Sequence, residues 1–110
     1  MNSLTTATCA PCESGIGLLE AAAIAAQLAH VPNWQVVEEG KAIRRDIATK
    51  NYASALEVVQ KISAVAEAEG HHPDVLFGWG YVEICLTTHS AGGLTLNDFI
   101  VAAKMDTVLA

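Results

Sequence analysis

Between Asn51 and His89 the apolar period changes once, and this change constrains the fold more than any other feature of the chain. Ala55, Val58, Val59, Ile62, Val65 and Ala66 recur at helical spacing and form one stripe. Asn51 can cap the start of that helix, and Gly70 can take the left-handed conformation at its end. The spacing therefore predicts a helix from Asn51 to Glu69. After the "HHPD" loop the period drops to two. "VLFGW" and "YVEICLTTH" read as strands joined by a tight turn near Gly80. In the second strand Val82, Ile84 and Leu86 share one face, while Tyr81, Glu83, Cys85, Thr87 and His89 share the other. A one-striped helix beside a one-faced hairpin calls for a layer of helix on sheet.

The flanking segments extend this pattern. A helix fits Gly17 to about His30, with Leu18, Leu19, Ala22, Ala26 and Ala29 at helical spacing, and Pro32 stops it. Trp34, Val36 and Val37, then Ile43 and Ile47, are strand formers on either side of "EEGK". That tetrapeptide reads as a hairpin turn in which Gly40 supplies positive φ. Thr95 to Leu109 closes the chain as a helix with Phe99, Ala102, Ala103 and Met105 turned inward. The order is α-β-β-α-β-β-α. The expected fold is α+β, a four-stranded antiparallel sheet with three helices on one face. So small an open sheet leaves edge strands that invite pairing between subunits.

Composition narrows the partners. The 110 residues make one domain, and a 52% hydrophobic content is that of a globular chain. A net charge of −6, with Arg44-Arg45 the only basic pair, excludes a nucleic-acid partner. "AAAIAAQLA" falls short of the roughly 18 apolar residues that suit a membrane span and has no basic leader, so neither membrane anchor nor export signal is expected. Three cysteines give no disulfide framework, and a reducing cytoplasm is the expected setting. Residues 1–14 read as a loose tail carrying Cys9 and Cys12, and residues 15–110 as the folded domain. "CAPC" is half of a zinc knuckle with no second pair, and is expected to be an incidental reduced pair, with a metal site shared across a dimer or a redox pair as the alternatives.

The chemistry gathers in the last third. His71 and His72 precede Pro73, His89 lies seventeen residues after His72, and Asp98 nine after that. Imidazole changes charge near neutral pH and so suits proton transfer in both directions. Glu67, one helical turn before His71, can reach that ring and fix its tautomer. Each residue also has a plainer role. Adjacent histidines after a helix are commonly solvated, His89 can be a surface residue at a strand end, and Asp98 stands where a capping box starting at Thr95 needs an acid. Three histidines and an aspartate could also bind zinc, but no i, i+4 histidine pair supports this.

The spacing Glu67-x3-His71-His72-Pro73-x5-Trp79-x9-His89-x8-Asp98 resembles the signature of the pterin-4a-carbinolamine dehydratases. "VPNW", "AEAEGHHPD", "LTTH" and "GGLT" are similar to the family as well, and the resemblance spans about Leu18 to Asp106. Many members carry an acid just after the third histidine, where this chain has Ser90. The resemblance implies removal of water from a 4a-hydroxytetrahydropterin to give the quinonoid dihydropterin, in recycling the cofactor of aromatic amino acid hydroxylases. It implies no metal and no cofactor. His72 and His89 would act as acid and base, with His71 holding or sharing that role. Asp98 would orient a histidine or the pterin, and Trp79 would wall the pocket. Homodimers or homotetramers and a link to a hydroxylase are also implied. The alternative is a non-catalytic interaction protein on the same fold.

Overall fold

The computed structural model describes residues 3–9 and 17–110. Seven regular elements follow one another: α1 (Ala21–Leu28), β1 (Gln35–Val37), β2 (Ala42–Ala48), α2 (Tyr52–Glu69), β3 (Asp74–Gly78), β4 (Tyr81–Leu86) and α3 (Leu96–Leu109). The four strands form one antiparallel sheet in the order β1-β2-β4-β3, so the two hairpins join through β2 and β4. The fold is α+β with three helices, in the order expected.

The β2–β4 register explains why one sheet face is dry. Ile43 stands opposite Leu86, Arg45 opposite Ile84, and Ile47 opposite Val82. Ile43, Val82, Ile84 and Leu86 are all fully buried, against a core that also takes Ala55, Ile62 and Ala66 of α2 and Phe99, Val101 and Met105 of α3. On the other face Arg44 stands opposite Cys85, and Asp46 opposite Glu83. Arg44 ties Asp46 and Glu83 together there, at 2.7 and 3.0 Å.

The middle helix starts and stops where its sequence directs. Ser54 N donates to Asn51 Oδ1 and Asn51 N donates to Ser54 Oγ, both at 2.9 Å, which satisfies two otherwise orphaned amides. Gly70 ends the helix at φ 63°, and the His71 amide turns back onto Ala66 O at 3.2 Å. This stop fixes where the two histidines leave the helix.

Several expectations need correction. The first helix starts at Ala21, not Gly17, after a Glu20 N-cap that makes no side-chain hydrogen bond. Its expected stripe is out of phase: Leu18, Ala22, Ala26 and Ala29 are exposed, while Leu19, Ile24 and Leu28 pack against the core. Alanine carries too little apolar area to set the rotation of a helix. The branched pair Ile24 and Leu28, four apart, sets it instead. In the β1–β2 turn Gly40 has positive φ (88°), as expected, but so do Glu38 (55°) and Glu39 (56°).

The tail expected to be loose over residues 1–14 is packed at residues 3–9. Ser3–Thr6 forms a 3-10 turn, Leu4 is buried in the core, and Ala7 and Cys9 pack against it. Cys9 N donates to Glu69 Oε1 at 3.0 Å, and Cys9 Sγ lies 3.7 Å from Asn97 O. Burial, then the charge of Glu69, pushes the Cys9 thiol up to about 12. Cys12, the other member of the expected pair, lies outside the described residues. Trp34 contributes more than strand propensity: it is buried, and its Nε1 donates to Asp106 Oδ1 at 2.8 Å. Arg45 reaches the same oxygen at 2.5 Å, which binds the sheet to α3.

Candidate active site

The end of α2, the end of β4 and the start of α3 converge on Asp98. Its side chain is fully buried, and its two oxygens have separate duties. Oδ2 accepts from Thr95 N at 2.9 Å and from Thr88 Oγ1 at 2.8 Å. Oδ1 lies 2.6 Å from His71 Nε2, whose side chain is only 11% exposed. The carboxylate therefore serves as helix cap and histidine partner together. A carboxylate that already takes two donors on Oδ2 is held as an acceptor. His71 Nε2–H then donates to Oδ1, and His71 Nδ1 is left for other work.

Glu67 does not reach His71, contrary to expectation. It meets His72 Nε2 instead. The helix ends at Gly70, so the helical spacing that would have joined Glu67 to His71 no longer applies beyond it, and the turn swings His71 inward to Asp98. The His72–Glu67 pair is open to solvent, at 59% and 77% exposure. Such a pair orients the ring but contributes only about 0–1 kcal/mol.

His89 is not on a strand, as the alternation suggested. β4 ends at Leu86, and Thr88 bridges to Gly93. The chain between them closes through a 3-10 turn, His89–Ala91, and Gly92 at φ 80°. His89 is thus carried on a short exposed loop whose base, Thr88, is the residue that binds Asp98. Its ring still lines the open side of the sheet. A cavity of about 350 Å³ there is walled by His89, Thr87, Cys85, Asp74, Glu38 and Lys41. Asp74, the first residue of β3, lies two residues after His72, but neither His71 nor His72 is among the residues that line this cavity.

Trp79 is not brought to this site. It sits in the β3–β4 turn and is 72% exposed. The register pairs Asp74 with Cys85 near the histidines and Gly78 with Tyr81 at the far end, which puts Trp79 about 17 Å along the hairpin. It cannot wall the cavity of its own chain.

The cavity contains groups that the sequence did not single out. Cys85 stands opposite both Asp74 and Arg44. Its thiol is pushed up by burial first, then by the charges of Asp74 and Glu38. Only the strand register brings these residues together. Thr88 was likewise missed: a threonine at a strand end gives no sign in sequence that it will hold a buried carboxylate.

Comparison with known proteins agrees with this geometry. The family model for pterin 4 alpha carbinolamine dehydratase matches residues 17–108. A protein of Methylococcus capsulatus, assigned by name to these dehydratases, is 42% identical over 108 residues, 98% of this chain and 95% of the relative. One of Halorhodospira halophila, named likewise, is 42% identical over 104 residues, covering 94% and 95%. Among solved structures, a transcriptional coactivator/pterin dehydratase from Brucella melitensis superposes with a TM-score of 0.78 at 28% identity, covering 84% of this chain and 98% of that one. A pterin dehydratase-like protein described as a RuBisCO assembly factor of the alpha-carboxysome gives 0.58 at 25% identity, covering 72% and 92%. The match runs through the α2 terminus, the histidine loop, β4 and the capped start of α3, and the chain belongs to the pterin 4 alpha carbinolamine dehydratase family.

Proposed function

We propose that the protein removes water from a 4a-hydroxytetrahydropterin and releases the quinonoid dihydropterin, as in the recycling of a hydroxylase cofactor. The observation that carries this reading is the pairing of two histidines with carboxylates, His71 with Asp98 and His72 with Glu67, beside the cavity that His89 lines. The reaction breaks the C4a–O bond and needs a proton delivered to the departing hydroxide. It also needs the N5 proton removed so that the C4a=N5 double bond can form. His72 and His89 are assigned as the acid and base for these two transfers, and His71, steadied by Asp98, supports them. Positioned proton donors and acceptors are adequate for a reaction that also proceeds unaided.

The same reading places the protein in the cytoplasm as a homodimer or homotetramer. The outer edges of β1 and β3, unpaired among the described residues, support self-association. Among the described residues no helix is long and apolar enough to cross a membrane. A second reading, a non-catalytic interaction protein, is favoured by the likeness to a dehydratase-like assembly factor. Direct observation of 4a-hydroxytetrahydropterin decay separates the two. Acceleration by micromolar protein is expected, and decay at the buffer rate would overturn the enzymatic assignment.

A further inference from the structure

The His89 cavity is also lined by Glu38 and Lys41, two residues of the β1–β2 turn with no part in the proton transfers above. Among the described residues neither side chain makes a hydrogen bond or an ion pair. Glu38 also lines an adjoining cavity of about 270 Å³, so its carboxylate stands on the wall between the two. It is held there by a backbone at φ 55°, a conformation that costs a non-glycine residue about 1–3 kcal/mol. An acceptor and a donor with no side-chain partner among the described residues thus belong to the wall of the space where the pterin would sit.

The pyrimidine half of a pterin presents three polar groups in a row: N2–H, N3–H and the O4 carbonyl. Two donors side by side match the two oxygens of a carboxylate, as a guanidinium does. The neighbouring carbonyl matches an ammonium. We propose that the β1–β2 turn reads this edge, with Glu38 accepting from N2–H and N3–H and the Lys41 ammonium donating to O4. The inference rests on the dehydratase reading of the same site. It also orients the substrate: O4 is attached next to C4a, so anchoring it at Lys41 leaves C4a and N5 directed along the cavity toward His89. Glu38 is a specificity residue here, and His89 keeps the chemistry.

A matched pair of ligands tests this. 6-Methyllumazine differs from 6-methylpterin in having a carbonyl in place of the 2-amino group, so one donor becomes an acceptor. Fluorescence titration of both ligands against the full chain should show the pterin bound about 30-fold more tightly, the scale of a hydrogen bond to a charged group. Glu38→Gln, which offers one acceptor and one donor, should reduce that ratio to about one or invert it. Lys41→Met should weaken both ligands by a similar factor, since both retain O4. Asp74→Asn should keep the wild-type ratio. Thermal melts confirm that each variant is folded, which the exposure of all three positions favours. A wild-type ratio retained in Glu38→Gln, or lost instead in Asp74→Asn, overturns the assignment. If wild type turns over 4a-hydroxytetrahydropterin while Glu38→Gln keeps its KM, only the edge reading fails. If wild type neither binds pterin nor turns it over, both readings fail.

Discussion

Asp98 is the residue at which fold and chemistry meet, because one carboxylate caps α3 and holds His71. Asp98→Asn must place an amide NH2 against a donor on one side or the other. A loss of about 1–3 kcal/mol in chemical denaturation is expected from a mismatched buried polar group. Turnover should fall more, by at least about 10-fold, since an amide at this point can no longer fix the histidine tautomer. A melting temperature that drops while turnover stays constant would reduce Asp98 to a cap. His72→Ala and His89→Ala should each cut turnover by about 10²-fold, down to the floor of the unaided reaction, with little change in stability, because both are exposed. The sequence could suggest these residues, since their spacing survives in the one-dimensional chain. It could not assign the partners. Glu67 at helical spacing from His71 goes to His72 because Gly70 ends the helix before that spacing is complete. Glu38 and Lys41 gave no signal, because a turn residue becomes part of a cavity only through the strand register.

The segment Ser3–Cys9 shows how an element without periodicity escapes sequence reading. Leu4 is 5% exposed, and the six polar or small residues around it in this segment hide its burial from any pattern of period two or 3.6. Leu4→Ala should cost about 2–5 kcal/mol, read as a lowered denaturation midpoint, whereas a free tail would tolerate the change. The same segment is fastened electrostatically. Lys104 donates to Glu69 Oε2 at 2.7 Å, and this bond, followed by the Cys9 amide, holds the Glu69 carboxyl below its ordinary value of 4.5. A depressed carboxyl stabilises the fold above that value and loses its contribution as pH falls through the folded-state pKa. Stability should therefore decline on acidification below pH 4.5, and Glu69→Gln should flatten that part of the curve. An unchanged acid limb in the variant would show that Glu69 does not couple the segment to α2. By contrast, α2 was legible almost to the residue because its cap and its branched apolar stripe agree, and α3 because its capping box marks its start. α1 was not, because its stripe is mostly alanine.

At the scale of the whole molecule, the sheet ends on two edges that are unpaired among the described residues, and β3 is the more exposed of the two in apolar terms. Leu76 is 57% exposed on the open face of β3, and Trp79 and Tyr81 at the same end of the hairpin are 72% and 42% exposed. Large apolar side chains along an open edge are a liability in a monomer and are normally blunted by charge, proline or a partner strand. β3 has one acidic residue, Asp74, at its first position, and no lysine or proline follows it within the strand. The arrangement fits an edge that is covered by a second copy, and it gives Trp79 a role that the fold of one chain denies it. Light scattering at micromolar concentration should therefore report a multiple of the 11.5 kDa chain mass. Leu76→Lys places a charge on this strand without touching the helix-facing core. It should shift the distribution toward the monomer, and the concentration dependence of the melting temperature expected of an oligomer should weaken or disappear. The His71–Asp98 contact and the His89 cavity are made within a single chain, so a monomeric Leu76→Lys variant should still bind 6-methylpterin. A wild-type chain that scatters only as the 11.5 kDa species would show that β3 stays uncovered in solution and that its apolar side chains are simply tolerated there.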